Sequence, residues 1–301
     1  MTDRNPRKSV SFAPDQEMYQ AYPTEEDQRR SRQHYEQPVS FFYPMLGGTW
    51  NVYSCLLWPA GVTDTTSAQE AKLDLLADLM ALKPGMRILD VGCGWGGPLT
   101  YLCKTYGVRG VGLTVSPTQK QAAEARIAAH GVDATIIEMH WRDFADAEGF
   151  DVIYSDEVIV HFNDLGGFFS QCHLLLRESG RMVHKELHFT HRKYSRMSRG
   201  LAFLNQIFDS TGNYRTLGEE LTLANDAGFE VQRVVQIPLT HYHKTVDRWL
   251  DQMRATRKEL EALVGADTFG RYRTYLKLVR HAHMGSMMTL DVVVSHKIDL
   301  E

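Results

Sequence analysis

The chain has 301 residues, enough for one large core or one core with a cap, and its 43% hydrophobic and 23% charged content is ordinary for a globular protein. A formal net charge of −4 gives no basic face for nucleic acid, and no apolar run approaches the roughly 20 residues that span a bilayer. No secretory stretch opens the sequence, and Cys55, Cys93, Cys103 and Cys172 show no C-x-x-C spacing; neither a disulfide framework nor a metal site is indicated, and a cytoplasmic address is expected.

Residues 1–30 are polar, without a sustained apolar period, and read as a flexible arm with some helix near Asp15–Tyr22. Residues 31–301 read as one domain. Aromatic residues crowd Tyr35 to Trp58, where they form core or line a pocket. Ser67-Ala68-Gln69-Glu70 has capping-box spacing and is expected to open a helix to about Leu82, ended by Lys83-Pro84-Gly85. The pattern then alternates. Arg87–Val91 reads as a strand, Gly97–Tyr106 as a helix, Val108–Leu113 as a strand, and Pro117–Ala129 as a helix capped by Ser116. Thr135–Glu138, Phe150–Tyr154 and Arg181–Leu187 continue as strands, with a helix at Leu165–Leu176. Thr216-Leu217-Gly218-Glu219 is a second capping box, opening a helix that stops at Gly228, and Phe229–Ile237 and Met287–Ser295 close the chain as strands. This alternation predicts an α/β fold, a mostly parallel sheet with helices on both faces, whose last two strands pair antiparallel at one edge.

Ile88-Leu89-Asp90-Val91-Gly92-Cys93-Gly94-Trp95-Gly96-Gly97 places glycines directly after the first strand, where side chains would block close approach of backbone to an adenosyl or dinucleotide group. A nicotinamide enzyme would show the same glycines. Here Asp90 lies inside the strand end, and Gly112-Leu113-Thr114 closes the second strand without the acid that would hold a ribose. After the fourth strand, Glu157 and His161 would share a face if Glu157 began a helical turn. That pair reads either as a base for removing a proton or as a helix-end carboxylate beside a core histidine.

Leu89–Gly97 followed by Val111-Gly112-Leu113-Thr114-Val115-Ser116-Pro117-Thr118-Gln119 resembles the cyclopropane-fatty-acid synthase family of S-adenosylmethionine-dependent methyltransferases. That family includes mycolic acid cyclopropane synthases, related lipid methyltransferases and plant alkaloid N-methyltransferases. The similarity runs from His34 to the C-terminus and includes Tyr53-Ser54-Cys55, Phe162, His241–Thr245 and Arg271–Leu276. It implies a class I methyltransferase, Rossmann-like fold that binds S-adenosylmethionine. Tyr53 and Ser54 would close over the methionine end, Asp90, Gly92 and Gly94 would line the turn, Thr114 and Gln119 would reach the ribose, and Trp141 would lie beside the adenine. Ser116-x-x-Gln119 is also a capping box, and both roles can hold.

In cyclopropane-forming members the segment here written Val160-His161-Phe162 resembles a Glu-His-Phe run, whose Glu and His join a Cys and a Tyr around a bicarbonate ion. Cys55, His161 and Tyr242 match that set, as catalytic or as packing residues, whereas Val160 stands in place of the Glu. Glu157 instead resembles the plant N-methyltransferases and the more distant isoprenoid C-methyltransferases, which argues against ring formation. Between the fifth strand and Thr216, residues 188–215 form the expected cap insertion. Its His188, His191, Arg192, Lys193, Arg196 and Arg199 precede an apolar run, either a cover for a greasy acceptor with an anionic head or a cap with a solvated basic shoulder. The expected reaction is methylation of an alkene carbon in an isoprenoid or lipid-like small molecule, with Glu157 as base; Mg²⁺ enters only with a diphosphate acceptor. The alternatives are N-methylation of an amine and a non-catalytic, cofactor-binding subunit.

Overall fold

The computed structural model describes residues 24–35, 37–194, 213–282 and 287–299. Seven strands form one sheet: β1 (Arg87–Val91), β2 (Arg109–Thr114), β3 (Ala134–Glu138), β4 (Phe150–Asp156), β5 (Leu176–Phe189), β6 (Phe229–Ile237) and β7 (Met288–Lys297). Their order is β3-β2-β1-β4-β5-β7-β6. The first five run parallel, and β7 inserts antiparallel between β5 and β6. The mostly parallel α/β sheet expected from the strand–helix alternation is therefore present, including the antiparallel edge. Side chains alternate between the two cores as strand geometry requires. Ile88 packs with the aromatic N-terminal segment, while Leu89 and Val91 pack with Phe150, Phe168 and Phe169 on the other face. Connections leave β1 for β2 on one side and β4 lies on the other, so a crevice opens beyond the carboxyl ends of β1 and β4.

Five helices precede the middle of the sheet: α1 (Thr24–Tyr35), α2 (Val39–Leu46), α3 (Thr65–Met80), α4 (Gly97–Tyr106) and α5 (Pro117–His130). They are followed by α6 (Leu165–Leu175) and α7 (Leu217–Asp226). Ser116 caps α5 by accepting from the Gln119 N–H at 3.2 Å, and Thr216 with Glu219 forms the reciprocal box at the start of α7. The box expected at Ser67 is not formed. Asp64 caps α3 instead, its carboxylate accepting from the Ser67 N–H at 2.9 Å, and Glu70 accepts from the Trp50 indole at 3.0 Å. Helix α1 begins inside the stretch read as a flexible arm and is tied to the sheet by Arg32, which donates to the Val115 carbonyl at 2.6 Å. The helix expected near Asp15–Tyr22 lies outside the described residues, as does most of the 188–215 insertion.

A helical unit sits between β6 and β7: α8 (Leu239–Ala255), α9 (Arg257–Val264) and α10 (Ala266–Ala282). Its Val246, Trp249, Met253, Phe269, Tyr272 and Leu276 bury in one cluster with Phe41 and Phe42 of α2, so these aromatics of the N-terminal segment are core. Among the described residues no helix is long and apolar enough to cross a membrane.

Candidate active site

The glycine turn is built for close approach. Gly92 and Cys93 both donate to the Leu113 carbonyl, at 3.0 and 2.9 Å, which folds the chain back after β1. Gly92 has φ 83° and a Cβ there would come within 2.5 Å of Val158, whereas a Cβ on Gly94 (φ 53°) would meet nothing within 4 Å and would stand in the crevice itself. Tyr53, Ser54, Asp90, Gly92, Gly94 and Gln119, six of the residues that the family resemblance singled out, line this crevice together with Asp156, Glu157 and Tyr35. Two expected contacts lie behind its wall. Thr114 is buried and donates its hydroxyl to the Gln119 side chain at 2.7 Å, so it orients Gln119. Trp141 is packed against Phe162 and Phe168, with centroids 5.6 and 5.3 Å away, because a short 3₁₀ turn directs it into the core. Asp90 accepts from the Tyr154 hydroxyl at 2.5 Å, and burial lifts its pKa to about 7 against that hydrogen bond.

Beside the crevice lies a buried cluster of two carboxylates and two lysines. Asp156 Oδ1 accepts from Lys185 Nζ at 2.7 Å, while its Oδ2 takes the Ser54 hydroxyl at 2.7 Å and also the Lys72 ammonium. Glu157 Oε1 accepts from Lys185 and from the Cys55 backbone N–H at 2.8 Å. Burial pushes the Lys185 pKa down, yet Asp156 and Glu157 outweigh it and hold this group firmly protonated. Asp156 is held well below the carboxylate range despite its own burial, by Lys185 and Lys72. Burial pulls the Lys72 pKa down, opposed by Asp156 beside it, and two acidic groups matched with two basic ones leave the cluster without an excess of either sign. Sequence reading found Glu157 and missed Lys72, Asp156 and Lys185. The available signal was a Lys-Glu pair inside a strand expected to be buried on both faces.

Glu157 does not begin a helix. It follows β4 with φ 58°, its N–H donating to the Lys185 carbonyl at 2.7 Å, and the 3₁₀ turn Ile159–His161 comes after it. The left-handed backbone, strained for a non-glycine residue, turns the carboxylate out of the sheet plane. Glu157 and His161 nevertheless line one aromatic pocket, with Tyr35, Tyr53, Tyr214, Tyr242, Trp249 and Tyr275. Tyr35, Tyr53 and Glu157 are walls of both this pocket and the crevice, so they stand where the two spaces adjoin. Burial raises the Tyr53, Tyr214 and Tyr242 phenols and keeps them neutral.

Of the two readings of Cys55, catalytic or packing, its surroundings are those of a packed side chain. Its Sγ is buried, bonded to the Leu56 carbonyl at 3.4 Å and pushed far above the usual thiol range by burial, and it lines neither space. Its backbone N–H is what meets the site, donating to Glu157 Oε1. Helix α8 holds that segment: His241 Nδ1 accepts from the Trp58 N–H at 3.0 Å, and Thr245 accepts from the Leu56 N–H and the Trp58 indole at 3.1 and 3.0 Å.

The histidines of β5 are internal. His188 bridges Asp291 at 3.0 Å and Glu220 at 2.9 Å, and His184 reaches the same Glu220 oxygen at 2.8 Å. Arg192 pairs with Glu219 at 2.8 Å. Two members of the expected basic shoulder are thus engaged within the protein.

The family model for mycolic acid cyclopropane synthetase matches residues 23–292. Cyclopropane mycolic acid synthase 1 of Mycobacterium tuberculosis is 32% identical over 257 residues, 81% of this chain and 88% of that protein. Hydroxymycolate synthase MmaA4 of the same organism is 28% identical over 275 residues, covering 86% of this chain and 89% of the relative. The crystal structure of mycolic acid cyclopropane synthase CmaA1 complexed with SAH and CTAB superposes with a TM-score of 0.83 at 26% identity, over 92% of this chain and 99% of that one. The glycine turn that leaves Gly94 open to a ligand, the fold and these likenesses agree: the chain belongs to the mycolic acid cyclopropane synthetase family of S-adenosylmethionine-dependent methyltransferases.

Proposed function

We propose that this enzyme methylates an alkene carbon of an isoprenoid or other lipid-like small molecule, with Glu157 taking up the proton that is lost. The observation that carries this reading is the position of Glu157, with Tyr35 and Tyr53, on the boundary between the cofactor crevice and the tyrosine pocket. When bound, S-adenosylmethionine supplies an electrophilic methyl group on a sulfonium. Gly92, Gly94, Asp90 and Gln119 line the space for it, and Ser54 and Asp156 line the side next to the lysines. The tyrosine pocket excludes water from the acceptor. A carbon that gains a methyl from its π bond leaves positive charge on the neighbouring carbon. Tyrosine and tryptophan faces stabilise such charge by roughly 0.5–2 kcal/mol each. A C–H bond beside the cationic carbon then breaks, its electrons restore the double bond, and the proton passes to Glu157. Lys185 and the Cys55 N–H bind Oε1 and fix the carboxylate in place, and no described group bonds Oε2.

A second reading is N-methylation of an amine, favoured by one specific feature. Glu157 and His161 face the same tyrosine-walled space, which suits an ammonium and can accept its proton. With His188 and Arg192 paired internally, neither reading draws on an anionic head, and Mg²⁺ enters only with a diphosphate acceptor.

Incubation with methyl-labelled cofactor and two acceptor panels separates these readings. One panel holds prenyl and unsaturated acyl compounds, the other heterocyclic and aryl amines. Label on a former alkene carbon is expected; label on nitrogen would replace the first reading by the second.

A further inference from the structure

The tyrosine pocket holds a second carboxyl that the proposed reaction does not use. Glu186 follows Lys185 on β5, and strand alternation sends its side chain to the other face, where it is 2% exposed. Its Oε2 accepts from the Val160 N–H at 3.0 Å and its Oε1 from the Leu187 N–H at 2.9 Å. No cation pairs with it among the described residues. The neighbouring Lys185 is taken by Asp156 and Glu157, and the His188 ring by Glu220 and Asp291. Glu186 also walls the pocket. A buried carboxylate without a cation is costly, whereas a carboxylic acid there needs only a partner for its proton. With each oxygen already accepting one backbone N–H, the proton is left for the pocket. Trp249 adds a second donor: it lines the same pocket, and its buried indole N–H has no hydrogen-bond partner among the described residues.

We propose that Glu186 is a neutral carboxylic acid that donates a hydrogen bond to a carbonyl, ether or hydroxyl oxygen of the acceptor, so that the pocket selects an oxygenated lipid-like substrate over the plain hydrocarbon. The inference rests on the reading that the tyrosine pocket is the acceptor site. It divides the two carboxyls by environment: Glu157 is held by Lys185 and the Cys55 N–H, and Glu186, with no cation beside it among the described residues, is a donor. The direction of its ionisation agrees. Burial pushes the Glu186 pKa up to about 8, the Leu187 and Val160 N–H groups oppose this, and the charges of Glu157 and Glu220 add to it. The other titratable groups around it are His161 on the 3₁₀ turn, Tyr35 of α1, Tyr53 and Tyr214, Tyr242 of α8 and Tyr275 of α10; His184, Lys185 and His188 share its strand.

Two measurements on the full-length enzyme loaded with S-adenosylhomocysteine test it. Infrared difference spectra of wild type and Glu186→Gln across pH 6–10 should show a protonated carboxyl at pH 7 that titrates near pH 8 and is missing from the variant. Absence of that band from wild type at pH 7 overturns the proposal. Binding of farnesol and of farnesene, followed by tryptophan fluorescence, should favour the alcohol about fivefold to tenfold, as one hydrogen bond would give. Glu186→Leu should erase the preference and Glu186→Gln, which keeps a donor, should retain part of it. Equal binding of both probes by wild type overturns the donor role. Neither readout requires turnover, so label appearing on an amine would remove the alkene reading without touching this result.

Discussion

Replacing Lys185 with Met removes one ammonium from a cluster whose four side chains are all less than a tenth exposed. Asp156 and Glu157 are then left with Lys72 alone, and Lys72 touches only Asp156 among these carboxylates. Taking one partner from a buried pair costs about 3–5 kcal/mol, since the remaining charge keeps its desolvation penalty. At about 2.1 cal/mol/K of unfolding entropy per residue, a chain of 301 residues shifts its Tm by roughly 1.6 °C per kcal/mol. Lys185→Met should therefore lower the Tm by about 5–8 °C in scanning calorimetry at pH 7. Adding Glu157→Gln removes the unpaired charge and should return a substantial part of that loss, because the two sites are coupled. A single variant within about 1 °C of wild type, or a double variant with purely additive losses, would refute the charge-paired cluster.

Two further outcomes follow from the same geometry. Gly94→Ala should weaken S-adenosylhomocysteine binding by more than about tenfold in a calorimetric titration, because its Cβ meets no protein atom and would take up space in the open crevice; unchanged affinity would remove Gly94 from the ligand wall. On the alkaline side, the His188 pKa is raised to about 10, burial opposing and Glu220 and Asp291 prevailing. That stabilisation is complete below the unfolded histidine value of about 6.5 and is lost as pH rises through 10, so the Tm should fall by several degrees from pH 7 to pH 10. His188→Asn should flatten that slope, and a wild-type Tm level over this range would contradict the charged His188.

The strands were legible because their physics is local. Arg87–Val91 and Phe229–Ile237 form at the bounds their apolar runs suggest, and the antiparallel edge follows from two adjacent late strands. The capping box at Thr216 was equally plain, since no competing cap precedes it. At Ser67 the spacing misled, because Asp64 three residues earlier is as good a cap and wins by leaving Glu70 free to meet Trp50. The crevice residues were readable from the glycines and from family likeness. What stayed hidden depends on long-range contact or on backbone strain. Glu157 reaches the site through a left-handed turn and not a helical face, and its partner Lys185 is 28 residues away. Cys55 drew notice for its thiol, and the bond from its backbone N–H to Glu157, 102 residues away, could not be seen in the sequence. Glu186 lay unremarked in a strand expected to be buried, where the adjacent charges of Lys185 and Glu186 were themselves the clue.

The central claim is that Glu157, on the wall between crevice and tyrosine pocket, is the proton acceptor. Glu157→Gln preserves shape and keeps one oxygen for the Cys55 N–H while abolishing basicity. Turnover of the methylated acceptor and S-adenosylhomocysteine binding should be measured on the same preparation. The prediction is a kcat lowered by at least about 10²-fold with cofactor affinity within about threefold of wild type. A variant that turns over within about threefold of wild type would contradict the assignment of Glu157 as the base.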